Sequence, residues 1–159
     1  MSSLENGTYR ILSRSSRSSH HQLFVGIDPK QHHEQRSGNI KEGTPIILVP
    51  KRKIVKVELE NIEGNNYRLF FVAQEASGMN LGCDKNNLQK NNKVFMTRQE
   101  VEWTIDQGND ENCYRVQVRE SGMYWTVPDH AKEHTQLKLE YMEDKEGQEW
   151  EFERIERED

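Results

Sequence analysis

The chain is 159 residues long and 33% hydrophobic, with a formal net charge of -5 and a mean hydropathy of -1.01. That length fits one domain. An acidic balance whose compact basic run is Lys51-Arg52-Lys53 argues against a nucleic-acid partner, and no apolar stretch reaches the ~18 residues of a membrane-spanning helix. From Arg10 to Lys53 nine Lys or Arg stand against three Asp or Glu, and beyond Lys53 thirteen stand against 23. The plain reading is two solvated faces; the functional one is a basic loop region facing an acidic partner.

Along the chain, apolar residues alternate with polar ones in short runs and trace no helical stripe. Val55, Val57 and Leu59 alternate with Lys56, Glu58 and Glu60; Val101, Trp103 and Ile105 with Glu102, Thr104 and Asp106; Leu137, Leu139 and Tyr141 with Lys138, Glu140 and Met142. Period two marks strands with one buried face. The spacing predicts strands over residues 8–13, 22–28, 45–49 and 54–62, then 67–73, 79–83, 93–97 and 101–106, then 114–119, 123–127, 136–141 and 149–155. Glu63-Gly64-Asn65, Ser77-Gly78, Gln107-Gly108-Asn109, Ser121-Gly122 and Glu146-Gly147 supply turn signals between them.

Three of these strands open alike, on Tyr9-Arg10, Tyr67-Arg68 and Tyr114-Arg115. Trp103 and Trp150 each follow their tyrosine by 36 residues, and Val57 holds the matching place 48 residues after Tyr9. Three copies of about 50 residues, near 4–63, 64–109 and 110–159, with four short strands each, predict an all-β chain, a β-trefoil whose barrel closure removes exposed edges. Trp103 and Trp150 then belong to the shared core, with the tyrosine hydroxyls reaching the barrel end. Two polar loops stand out in the first copy: residues 14–21, rich in Ser, Arg and His, and residues 29–43, long for a compact domain and therefore a candidate for function.

No catalytic motif assembles. The histidines fall as His20-His21, His32-His33, and His130 with His134, whose i, i+4 spacing would need a helix, so no metal is expected. No serine occupies a nucleophile elbow, no cysteine has a histidine close in sequence, and no glycine-rich phosphate loop occurs; neither an enzyme nor a cofactor is expected. Cys83 and Cys113 lie in different copies and read as reduced, packed thiols. The stretch from Met1 to Ser19 lacks an apolar core, so no signal peptide and a cytoplasmic location are expected, for a monomer. Gln148-Glu149-Trp150 fits the Q-x-W pattern of ricin-type lectins, yet Val101 and Val55 stand where the other copies need the glutamine. A carbohydrate-binding reading rests on exposure of Tyr124 and Trp125.

Gly7-Thr8-Tyr9-Arg10-Ile11, Glu102-Trp103-Thr104-Ile105 followed by Tyr114-Arg115-Val116, and Gly122-Met123-Tyr124-Trp125-Thr126-Val127-Pro128 resemble core strands of the small β-trefoil serine protease inhibitors of mushrooms. The opening strand and Trp150-Glu151-Phe152 also resemble the mushroom cysteine protease inhibitors. The resemblance spans most of the chain and implies a protein that binds a protease. In the serine protease inhibitors the inhibitory residue sits on the loop between the second and third strands, here residues 28–43.

No family motif selects one residue within that loop, so chemistry must. Trypsin-like proteases take a Lys or Arg into a deep pocket ending in an aspartate. Arg36, followed by Ser37, is the first choice; Lys30 and Lys41 are alternatives, and Asn39 is another, since inhibitors of this kind can use an asparagine there. The cysteine protease inhibitors act through the loops that correspond here to residues 14–21 and to Pro50-Lys51-Arg52-Lys53; the first is bulky and basic and the second tight, so neither suits a narrow cleft. A loop around residues 74–78 would serve against an asparagine-specific protease but holds no asparagine before Asn80.

Overall fold

The structure, a computed structural model, describes residues 4–16, 22–28, 41–72 and 79–155. Six strands close a barrel. β1 (Gly7–Ser13) pairs with β4 (Val57–Glu63), β4 with β5 (Asn66–Phe71), β5 with β9 (Trp103–Gln107), β9 with β10 (Cys113–Val118), and β10 with β13 (Trp150–Arg154), which returns to β1. All six pairings are antiparallel. The alternation in sequence sets what faces inward: β5 buries Tyr67, Leu69 and Phe71 and turns Asn66, Arg68 and Phe70 outward. Tyr9 lies opposite Val57, Tyr67 opposite Trp103 and Tyr114 opposite Trp150, so the tyrosine and its repeat partner are cross-strand neighbours, the unit through which a sheet is stabilised.

Three hairpins cap one end. β2 (Leu23–Gly26) pairs with β3 (Ile47–Pro50), β6 (Asn80–Gly82) with β8 (Phe95–Thr97), and β11 (Met123–Thr126) with β12 (Lys138–Tyr141), while the short β7 (Asn92–Lys93) joins β12. They bond to one another in a ring. The Ile46 N–H donates to the Val94 carbonyl at 3.1 Å, Val94 to Leu137 at 3.0 Å, and Leu137 back to Ile46 at 3.0 Å. All three residues are fully buried. The single strand expected over 93–97 is therefore two, because the chain changes partner at Val94, from β12 to β6.

A four-residue turn precedes each ring residue: 41–44, 89–92 and 132–135. In each the first carbonyl accepts the fourth N–H, at 3.2, 3.1 and 3.1 Å. The third residue is left-handed: Gly43 at φ 92°, Asn91 at 72° and His134 at 73°. Glycine adopts this at no steric cost and asparagine at little; a histidine there is strained and is held because its N–H bonds the Leu48 carbonyl at 2.9 Å.

The core is dominated by three fully buried tryptophans. Trp125 stands edge-on to Trp103, with centroids 5.4 Å apart, and to Trp150, 5.8 Å apart. Trp103 Nε1 donates to the Leu81 carbonyl at 2.8 Å and Trp150 Nε1 to that of Trp125 at 3.3 Å; Trp125 Nε1 has no hydrogen-bond acceptor among the described residues. The Tyr9 and Tyr67 hydroxyls reach the barrel end and donate to the Glu5 and Leu4 carbonyls at 2.7 and 2.6 Å, tying down the N-terminal segment. Tyr141 departs from expectation: it is 61% exposed, because β12 ends there and leaves no core for the alternation to face.

These hydrogen bonds rank the tryptophans. Trp103→Phe loses ring volume and leaves a buried carbonyl unpaired, whereas Trp125→Phe loses volume and removes an unpaired donor. Urea unfolding is expected to show Trp103→Phe less stable than Trp125→Phe by about 1–2 kcal/mol.

Candidate functional site

The β2–β3 connection is the longest among the hairpins. Residues 27–46 separate β2 from β3, against 83–94 between β6 and β8 and 127–137 between β11 and β12. Of the residues singled out within it, Arg36, Ser37, Lys30 and Asn39 lie outside the described residues; Lys41 is described and exposed. Both ends are fixed to the scaffold. Ile27 is 1% exposed, and Asp28 leaves the core half-exposed. At the other end Gly43 N–H donates to the Met96 carbonyl at 2.7 Å and Met96 N–H to that of Thr44 at 2.8 Å. The Thr44 hydroxyl, itself buried, closes back onto the Lys41 carbonyl at 2.6 Å. The connection thus leaves from the core and returns through a hydrogen-bonded turn, the condition for presenting a loop at small entropic cost.

The other loops are built differently. The first runs into a 3-10 turn, Arg14–Ser16. Arg14 Nη1 donates to Cys113 Sγ at 3.3 Å and pairs with Asp110, while its backbone N–H donates to the Glu149 carbonyl at 3.2 Å. The first residue of this polar loop is thus fastened to the third repeat; nothing in its sequence surroundings signals this, since Arg14 and Cys113 are distant in the chain. The tight turn Lys51–Lys53 is also 3-10, with Lys51 and Arg52 exposed and Lys53 Nζ 3.8 Å from Glu133. The loop around 74–78 lies outside the described residues.

The residues on which a sugar site would depend are used internally. Gln148 is fully buried: its Oε1 accepts the Glu143 N–H at 2.8 Å, and its Nε2 donates to the Tyr141 carbonyl at 2.8 Å and to Thr126 Oγ1 at 3.2 Å. Trp150 and Trp125 are fully buried, and the half-buried Tyr124 bonds its hydroxyl to Gln117 Nε2 at 3.1 Å. The Q-x-W match marks a corner brace, which its neighbours in sequence do not reveal. Both cysteines are free and buried; burial, with Asp84 adding to it, pushes the Cys83 thiol up to about 12. Among the described residues no group of three or more metal-ligating side chains forms; His130 and His134 are both exposed.

A closed six-stranded barrel capped by three hairpins, one of them carrying an overlong anchored connection, defines a β-trefoil of the loop-presenting kind. The chain belongs to the peptidase inhibitor I66 family, whose model matches residues 1–154. It is a peptidase inhibitor by family and not an enzyme. Solved structures agree on the fold. A proteinase inhibitor from Coprinopsis cinerea is 18% identical, with a TM-score of 0.68 over 96% of this chain and 100% of that one. The Rhizoctonia solani agglutinin is 18% identical, with a TM-score of 0.76 over 98% and 99%. The Macrolepiota procera ricin B-like lectin, solved with lactose, is 17% identical, with a TM-score of 0.69 over 98% and 99%. A search of curated protein sequences finds no match.

Two outcomes follow from the buried polar groups. Gln148→Ala removes three hydrogen bonds and is expected to lower unfolding stability by about 2 kcal/mol in denaturant titration. At pH 8 a thiol raised to about 12 holds on the order of 0.01% thiolate, against about a quarter for a free cysteine. Cys83 in a Cys113→Ser background is therefore expected to resist a thiol-reactive probe until the protein is unfolded in guanidinium.

Proposed function

We propose that the chain inhibits serine proteases of trypsin-like preference, in a one-to-one complex, by inserting the connection spanning residues 28–43 into the protease active site. The observation that carries this reading is the fastening of that connection at Gly43 and Thr44 onto Met96 in a chain whose family is one of peptidase inhibitors.

Inhibition requires a side chain the protease accepts on a backbone that does not relax after binding. A Lys or Arg satisfies the aspartate at the bottom of a trypsin-like pocket. Arg36, followed by Ser37, fills that role, with Lys30, Asn39 and Lys41 as the alternatives. A loop already near its bound shape loses little ordering entropy on association and dissociates slowly. Nanomolar affinity needs about -12 kcal/mol, which a standard-size contact surface supplies when one deep anchor dominates it.

Arg36→Ala is expected to weaken trypsin inhibition by about 100-fold, the cost of truncating a dominant anchor, while inhibition of chymotrypsin, subtilisin and papain serves as the specificity panel. Unchanged trypsin inhibition removes Arg36 from the role and directs the same test to Lys30, Asn39 and Lys41. A wild-type chain without effect on trypsin overturns the serine-protease reading.

A further inference from the structure

The three turns that precede the ring are equivalent, and this equivalence isolates one side chain. Their second residues are Glu42, Lys90 and Glu133. Glu42 crosses to the next hairpin: its Oε2 accepts the Arg98 backbone N–H at 2.8 Å and the Thr97 hydroxyl at 3.2 Å. The Thr97 hydroxyl in turn accepts the Gln99 N–H at 3.1 Å, so the carboxylate holds a strand end that is itself braced.

The other two turns cannot repeat this. Gly43 bonds Met96, and Arg98 lies two residues beyond it; His134 bonds Leu48 in the same way, and the residue two beyond Leu48 is Pro50, which has no N–H to offer. Glu133 turns instead toward Lys53 Nζ, at 3.8 Å. Lys90 is a cation and accepts nothing. Of these three turns, the cross-hairpin carboxylate clamp therefore occurs in the one that ends the overlong β2–β3 connection.

We propose that Glu42 is a positioning residue that holds the end of the inhibitory connection in its binding shape and so sets how slowly the protease complex dissociates. This rests on the reading of residues 28–43 as the protease-binding loop. The physical reason is specific to this place. The two backbone bonds with Met96 fix Gly43 and Thr44, and Thr44 closes the turn onto the Lys41 carbonyl; the Glu42 carboxylate is the side chain of that turn that fastens its loop-ward half to the neighbouring hairpin. Hydrogen bonds to a charged acceptor are stronger than neutral ones, and a backbone held before binding need not be ordered during it. Glu42 is exposed, so its effect is bounded, and such effects on a complex fall mostly on dissociation.

The test compares wild type, Glu42→Ala, Glu42→Gln and Glu133→Ala, measuring association and dissociation rates with trypsin, amide hydrogen exchange at Arg98, and thermal midpoint. Glu133→Ala matches the charge change at the equivalent place. Glu42→Ala is expected to speed dissociation about tenfold or more, from the loss of bonds to a charged group. Association should change less than about twofold, Arg98 exchange should accelerate, and the midpoint should stay within a few degrees. Glu42→Gln, whose carbonyl still accepts, should restore most of the slow dissociation, and Glu133→Ala should match wild type. Dissociation of Glu42→Ala within about twofold of wild type overturns the proposal, as does an equal effect from Glu133→Ala. Wild type that does not slow trypsin at all overturns the reading on which the proposal rests, an outcome distinct from either.

Discussion

The structure depends on a ring of three backbone hydrogen bonds. Ile46, Val94 and Leu137 each donate to the next around the pseudo-threefold axis, and each is fully buried. Buried backbone groups must find partners, and here each hairpin can satisfy its central residue only through the other two. No hairpin can dock alone without leaving a donor and an acceptor exposed to the apolar interior. The ring therefore links the three repeats into one cooperative unit. It also sets the geometry of the preceding turns, because the N–H of the left-handed residue three places earlier must meet the neighbouring hairpin.

That constraint explains how a chain of such polar composition folds. The apolar residues are few but concentrated at the positions that face the interior: the barrel rows through Tyr67, Leu69 and Phe71, and the tryptophan cluster. A closed barrel with a tripartite cap has little surface of its own to hide beyond this interior, so the outward positions are free to be charged. Many of them carry ion pairs that join neighbouring strands, such as Arg10 with Glu153 at 2.6 Å and Arg119 with Glu102 at 2.7 Å. These are half-exposed pairs of modest worth; they make the surface compatible with water while the ring and the core hold the fold.

Much of the fold was legible in the sequence because the repeat writes itself in side chains whose spacing is set by the barrel. Tyr9, Tyr67 and Tyr114 lie opposite Val57, Trp103 and Trp150 in the pairing register. A second signature passed unread: Lys41-Glu42-Gly43-Thr44 and Lys132-Glu133-His134-Thr135 are nearly the same four residues, and both are turns before a ring residue. What could not be read are long-range polar contacts. Arg14 meets Cys113 and Asp110 because β1 and β10 flank β13, a consequence of closure and not of local pattern. Gln148 looked like half of a sugar-binding motif, and only the contacts of its amide reveal a brace. Tyr141 followed a period-two pattern to the last residue of its strand, where no core remains for it to face. The candidate site was legible as an interval, by its length and polarity, because nothing apolar in it commits a residue to the core.

Function in such a molecule comes from departures from the symmetry that stabilises it. Three equivalent hairpins need only short connections, and two of them have these. The first is extended by residues the ring does not require, placed where the chain leaves a buried Ile27 and returns to a buried Thr44. A long excursion costs little in loop-closure entropy, since that term grows only logarithmically with length; what a binding loop cannot tolerate is freedom at its ends. Here the symmetric elements supply the restraint, through the turn and the ring, and an asymmetric contact, Glu42 on Thr97 and Arg98, falls where restraint is of use. Pro50 is paired opposite Leu23 at the end of β3 and withholds an N–H from the Glu133 turn, while Lys90 has no acceptor to offer in the other; together they leave the contact to one turn of three. The scaffold supplies rigidity three times over, and the departure from it is spent once, on the loop.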